Sequence, residues 1–198
     1  MTRRTRLTRL VVSWLMVGVG VPLLVTSQLG VAPFDVLNTG LTEVTDWSLG
    51  LCFALMSVVF FGAGFLLGAR LGWACLGGTL VIGTVVNLML RVMPDDAGLP
   101  LRAAFLVGGM LIIGVAICLV VTTELGPGPT EVLMLGLVNR GLGVVPARWI
   151  SDGAPLVVGA LLGGSFGVGT VLFAVGMGPL VKAGLRALDY TPPVASPA

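Results

Sequence analysis

The chain has 198 residues, of which 56% are hydrophobic and 10% charged, with a formal net charge of +2. A soluble domain of this size carries roughly 25% charged residues, so lipid is the expected solvent for much of the surface. So small a positive charge, spread over several segments, excludes a nucleic-acid interface. Histidine is absent, and Cys52, Cys75 and Cys118 lie singly in apolar stretches. That pattern gives no basis for a zinc site, a haem motif or a disulfide framework, so neither a metal nor a cofactor is expected.

In chain order, residues 1–9 form a basic N-terminal arm. The opening MTRRTRLTRLVVSWLMVGVG has the basic and apolar regions of a signal peptide but no convincing small-x-small cleavage site. Its apolar part runs on through Val25, which predicts a retained first span. Apolar stretches cover about 10–27, 49–69, 71–90, 103–122, 149–164 and 168–188, and each is close to the roughly 20 residues that cross a bilayer. Between the first and second stretches, and between the fourth and fifth, lie shorter helical segments starting at Pro33 and Pro129. Proline suits a first helical position. Each holds about a dozen residues, which at 1.5 Å per residue falls short of the ~30 Å hydrocarbon core, so both are predicted to be half-depth helices. The Pro-rich residues 189–198 read as a tail without regular structure.

The two halves match each other. With a shift of 96, VTSQLGVAPFDVLNTGL (25–41) lies over VTTELGPGPTEVLMLGL (121–137), and nine of these 17 positions are identical. They are Val25, Thr26, Leu29, Gly30, Pro33, Val36, Leu37, Gly40 and Leu41 with their partners. With a shift of 95, Gly64, Gly68, Gly72 and Gly83 fall on Gly159, Gly163, Gly167 and Gly178. The expected fold is therefore an all-α polytopic membrane protein of about six transmembrane helices plus two half-helices. It divides into repeat unit 1 (10–92), a connecting loop (93–102) and repeat unit 2 (103–188).

With six spans and an inside N-terminus, nine basic residues lie on the cytosolic side and two, Arg91 and Arg102, outside, as the positive-inside rule asks. Asp35, Glu43, Asp46, Asp95 and Asp96 then fall toward the outer side. Three spans per unit make the repeats inverted, a common plan among transporters. Eight full spans with parallel repeats would divide the charges ten to one; segment length, rather than charge, favours six. Both counts leave the two termini in the cytosol. Trp14, Trp47, Trp73 and Trp149 sit near predicted span ends, as interfacial anchors do.

The string LGVAPFDVLNTGL, its echo LGPGPTEVLMLGL and the closing GGSFGVGTVLFAVGMGPLV resemble the YczE/YyaS/YitT family of bacterial membrane proteins, and its YczE-like branch in particular. The resemblance covers about residues 10–188. Phe34 stands where that family generally has tryptophan, and Thr130-Glu131 stand where Arg-Asp is common. The resemblance implies a bacterial inner-membrane protein, often described as a transporter or permease, without an established substrate.

Asp35 and Glu131 are the leading polar candidates, each about two residues into a proline-started helix. There a carboxylate meets unpaired N–H groups and the positive end of the helix dipole. Either each caps its own helix, or the two half-helices bring both acids to one polar cavity for a cation, a proton or a substrate amine. Asn38 joins Asp35 on the same helix. Arg148 and Asp152 are spaced i,i+4 and share a helical face, as an interfacial salt bridge or as part of a gate. Asn87 either hydrogen-bonds a neighbouring helix or lines a path. Gln28 and Glu124, which close the first span of each unit, mark either the approach to the half-helices or the water boundary. Gly64, Gly68, Gly72, Gly159, Gly163 and Gly167 are expected to place small residues on one helical face for close packing.

These features point first to a secondary transporter or permease for an unidentified small solute, working by alternating access between the two units. A non-transporting regulator or scaffold for a partner enzyme is the alternative. An enzyme is not expected, because no nucleophile–base pair is present, and no phosphate-binding GxxxxGK[ST] motif occurs to power transport with ATP. The lipid bilayer and the solute are the expected partners, with a homodimer or another membrane protein left open.

Overall fold

The computed structural model describes residues 2–94, 97–123, 125–126 and 128–189. Among these residues the chain is entirely helical, with eight helices and no strand: α1 (Arg3–Ser27), α2 (Pro33–Thr45), α3 (Leu49–Leu66), α4 (Trp73–Leu90), α5 (Leu99–Val121), α6 (Pro129–Asn139), α7 (Val144–Leu161) and α8 (Val168–Ala187). The two short helices begin at Pro33 and Pro129, as their sequence asks. The basic stretch at the N-terminus forms the first turns of α1, which the Thr2 hydroxyl starts by accepting the Thr5 N–H at 3.3 Å. Asp95, Asp96 and the Pro-rich tail from 190 onward lie outside the described residues.

Four helices, α1, α3, α5 and α8, are long and apolar enough to cross a membrane. The apolar part of α4, Ala74–Leu90, is slightly shorter, and α7 carries Arg148 and Asp152 within its 18 residues. Many large apolar side chains point outward, Leu66, Leu80, Leu161 and Val175 among them. The interior instead contains many small or hydroxyl-bearing residues, such as Ser13, Ser27, Ser57 and Thr170. A water-soluble fold would bury the former, and so continuous an apolar exterior suits contact with lipid.

Helices α1 and α5 cross antiparallel at the centre, with α4 against α1 and α8 against α5. At one end of the crossing Arg9 Nη1 donates to Thr122 Oγ1 at 3.0 Å. At the crossing itself a Cβ on Gly20 would meet Ile113 Cγ1 at 2.6 Å, so the missing side chain is what lets α5 come so close. The main core joins Val21, Leu24, Val36, Leu49, Val86, Leu106, Ile113 and Met177 from six of the helices with Val31 from the connection before α2. Around it, α2 packs on α7 and α3, and α6 packs on α3 and α7. Trp14 is not a free interfacial anchor: Gly78 leaves room for its ring, and a Cβ there would lie 2.6 Å from Trp14 Nε1.

The glycines expected on one helical face do three different jobs. Gly64 and Gly159 lie inside α3 and α7, against the backbone of α6 and α2 respectively. Gly68 (φ +93°) and Gly163 (φ +87°) follow the helix ends in left-handed conformation. There Ala69 N–H returns to Gly64 O at 2.9 Å and Gly164 N–H to Gly159 O at 2.8 Å, the six-to-one bond of a Schellman turn, which stops the helix and satisfies its last carbonyls. Gly72 and Gly167 are the N-caps of α4 and α8. The expected continuous stripe fails because a left-handed glycine ends the helix before the next four-residue step.

The two roles separate experimentally. A Cβ at Gly163 meets open space, so Gly163→Ala costs only the left-handed strain, about 1–2 kcal/mol. A Cβ at Gly159 would overlap the Val36 and Leu37 backbone, which cannot step aside as a flexible side chain does, so Gly159→Ala costs about 3 kcal/mol or more. Thermal melts in detergent should rank wild type above Gly163→Ala and Gly163→Ala above Gly159→Ala. A Gly159→Ala melt equal to wild type would refute the close approach.

Candidate functional site

Two polar clusters lie on α7 and the helices packed against it. The first is built on α2, whose N-cap is Ala32 and whose first turn carries Asp35. Asp35 is 5% exposed, and Asn38 is fully buried beside it. Asn38 Nδ2 donates to Asp35 Oδ1 at 3.2 Å, so the carboxylate's partner is a side-chain amide rather than the helix N–H groups that a capping role would engage. One residue further on, the Thr39 hydroxyl donates to Asp35 O at 2.9 Å and accepts Ser165 N–H at 2.9 Å, tying α2 to the turn after α7. Phe34 packs edge-on against Phe53 and Phe60 of α3, with ring centroids 5.7 and 5.2 Å away. These rings keep one side of the Asp35 neighbourhood apolar.

The second cluster is open to its surroundings. Arg148 Nη1 donates to Glu131 Oε1 at 3.1 Å, and Arg148 Nε pairs with Asp152 Oδ2 one turn along the same helix. Thr130 Oγ1 donates to Glu131 Oε2 at 3.3 Å. The side chains of Arg148, Glu131 and Asp152 are 45%, 40% and 30% exposed. One guanidinium thus bridges carboxylates from two helices, a geometry that its forked donors allow and a lysine could not reproduce.

The structure does not bring Asp35 and Glu131 to one cavity. Asp35's chain neighbours Val36 and Leu37 meet α7 at Gly159, whereas Glu131 meets it at Arg148. Those positions are eleven residues apart, about 16 Å along the helix axis. The single shared centre expected from sequence is therefore two stations at different levels of α7. Each acid has its own partners, and neither caps its helix alone.

Other expected site residues are engaged elsewhere. Asn87 accepts Gly50 N–H through Oδ1 at 2.8 Å and donates from Nδ2 to Ser48 Oγ at 3.0 Å, so it satisfies the first turn of α3 from outside that helix. Gln28 is exposed at the left-handed end of α1, with φ 53°. Glu124 lies outside the described residues. Sequence reasoning missed Ser57, which is fully buried on α3 and whose signal was a lone hydroxyl in the apolar run LCFALMSVVFF. It also missed that Glu131 is the second partner of Arg148, a contact between helices that no local spacing encodes.

The class defined here is an all-helical bundle of membrane-protein type, with four helices of spanning length and polar clusters at the starts of two shorter ones. Over residues 4–185 the chain matches DUF6198, a family of unknown function, and it belongs to that family. It is also 32% identical over 176 residues to an uncharacterized protein of Haemophilus influenzae, covering 88% of this chain and 81% of that one. No solved structure matches the chain.

The charged cluster has a measurable consequence. Because all three groups are about a third or more exposed, each ion pair contributes about 0.5–1 kcal/mol, and less as salt rises. A double-mutant cycle of Glu131→Gln with Arg148→Ala, read by thermal stability, should show coupling of that size at low salt and a smaller value at high salt. No coupling at low salt would mean the pair is not formed.

Proposed function

We propose that this protein is a bacterial inner-membrane secondary transporter for a small solute, built from two inverted repeat units, with its polar path running along α7 between the two clusters. The observation that carries this reading is reciprocal packing. Gly159 of α7 sits against Val36 and Leu37 of α2, and Gly64 of α3 sits against Val132 of α6. The sequence shifts of 96 and 95 turn the first contact into the second. Gly167 against Leu29 and Gly72 against Leu125 repeat the relation, as do Gly40 against Leu162 and Gly136 against Leu67. Each short helix therefore lies on a long helix of the other half, so one half cannot move without shifting the polar residues at the other's short helix. That mechanical arrangement is what alternating access needs.

Membrane placement in this reading uses six spans, α1, α3, α4, α5, α7 and α8. Helices α2 and α6, with 13 and 11 residues, reach about 20 and 16 Å, short of a ~30 Å core. The distribution of arginine and lysine supports cytosolic termini. The likeness to YczE-type membrane proteins supports the same placement and the transport class. The Glu131–Arg148–Asp152 cluster, polar and partly open, is the station for solute. Exchange of an ionic solute group for one member of this network would open the network without leaving a bare charge behind.

Reconstitution tests this directly. Proteoliposomes preloaded in turn with amino acids, amines, sugars and nucleosides should show counterflow of at least one class. Replacing Glu131 by Gln or Arg148 by Ala should reduce that flux about tenfold or more, the loss expected when a hydrogen-bonded charge partner is removed. Flux indifferent to both substitutions would remove the cluster from the path, and absence of counterflow for every class would refute the transport reading.

A further inference from the structure

The Asp35 cluster holds more polar capacity than its internal bonds use. Asn38 Oδ1 and Ser57 Oγ are both buried and without a hydrogen-bond partner, and both residues are 0% exposed. Buried acceptors are rarely left so, because each forfeits roughly 1–3 kcal/mol of solvation with no return. Two of them beside a buried carboxylate ask for a common explanation.

Their placement follows from how α2 and α3 run. The two helices are antiparallel across the short connection at 46–48. At the near end the chain passes directly from Thr45, the last residue of α2, to Leu49, the first of α3, and at the far end Phe60 packs on Phe34. Ser57 lies between these ends at the level of Asn38, on the face of α3 that also carries Phe53 and Phe60. Asn38 already turns its amide toward Asp35, with Nδ2 on the carboxylate, so its free Oδ1 lies within the same cluster. The arrangement sets one charged and two neutral oxygens at one level of the α2–α3 pair, whose packing also includes the Phe34, Phe53 and Phe60 rings.

We infer that Asp35, Asn38 and Ser57 bind one monovalent alkali cation, sodium by preference, between α2 and α3. Oxygen ligands of this kind suit a hard cation. One carboxylate balances one positive charge. A calcium site normally gathers six to eight oxygens with several carboxylates, and no group of three or more acidic, cysteine or histidine ligands occurs among the described residues. Asp35 lies in the first turn of α2, so its full negative charge must outweigh the positive end of the helix dipole there. Binding converts an unpaired buried carboxylate into a neutral ion pair and gives both orphan oxygens a partner. If the transport reading holds, this ion is the coupling ion. Thr39, one residue from Asn38, bonds to the turn after α7, so a shift of α2 on ion binding reaches the helix that carries the solute cluster.

Equilibrium binding of radioactive sodium to the purified full-length chain in detergent tests the site independently of any solute. We expect saturable binding of one sodium per chain, displaced by excess unlabelled sodium and not by equimolar calcium. Ser57→Ala, which removes one oxygen and little volume, should weaken binding about tenfold while raising the sodium-free melting temperature, because it removes a buried hydroxyl without a partner. Asp35→Asn should abolish binding. No saturable sodium binding, preference for calcium, or sodium binding unaltered in both variants would each overturn the site. Sodium bound as expected without solute counterflow in proteoliposomes would refute the transport reading and leave the cation site standing.

Discussion

The polar interior depends on two of the places where helix backbone touches helix backbone, Gly64 of α3 against α6 and Gly159 of α7 against α2. Apolar surface gains nothing by leaving lipid for protein, so helices there are held by dispersion and by close contact between small residues. At Gly159 the approach is so close that no side chain fits between it and the Val36–Leu37 backbone. The Schellman turns that follow each glycine complete the clamp. They return the chain sharply enough for Gly164 to lie against Gly40 N, and for Ser165 N–H to reach Thr39. Were α7 to run on as a straight helix past 161, neither contact could form.

That clamp decides what the acids can do. Beside the Val36–Leu37 contact with α7, Asp35 is buried, and its carboxylate accepts from the Asn38 amide. A lone carboxylate in such a place is costly as an anion, and one neutral amide donor compensates it only in part. Glu131 faces the opposite condition. Its helix is clamped at Val132, but the Arg148 guanidinium reaches across from α7 and neutralises it in place. The same short-helix geometry therefore yields one starved carboxylate and one satisfied carboxylate.

Much of this was legible in the sequence, for a physical reason. Proline at 33 and 129 marks helix starts through its fixed φ, and long apolar stretches mark helices through the demand that backbone groups pair within lipid. Both signals are local, and the helices follow them. The contacts that matter for function are not local. Nothing in the spacing of Arg148 and Asp152 reveals that Glu131 completes their bridge from another helix. Asn87, polar within an apolar helix, could equally have lined a path or capped a neighbour, and only the position of Gly50 N–H decides for the cap. The glycine series misled because a four-residue spacing describes a helical face only while the helix continues. The left-handed Gly68 and Gly163 end it.

On the proposed duplication, Asp35 answers to Glu131, Phe53 to Arg148 and Ser57 to Asp152. The first unit thus keeps an aromatic ring and a hydroxyl where the second has a cation and an acid. A shared backbone geometry needs no such difference, since the clamps and turns are the same in both. The substitutions bear only on charge. In the second unit the network nets one negative charge, stays partly open and can exchange partners without a bare ion at any stage. In the first, every fixed partner is neutral, so a change of state at Asp35 must be matched by something that moves, whether a metal cation or a proton. Two clusters of the same ancestry would then divide the work of a coupled carrier. On the transport proposal, one would hold what is carried, and the other, short of a charge, would take the mobile ion.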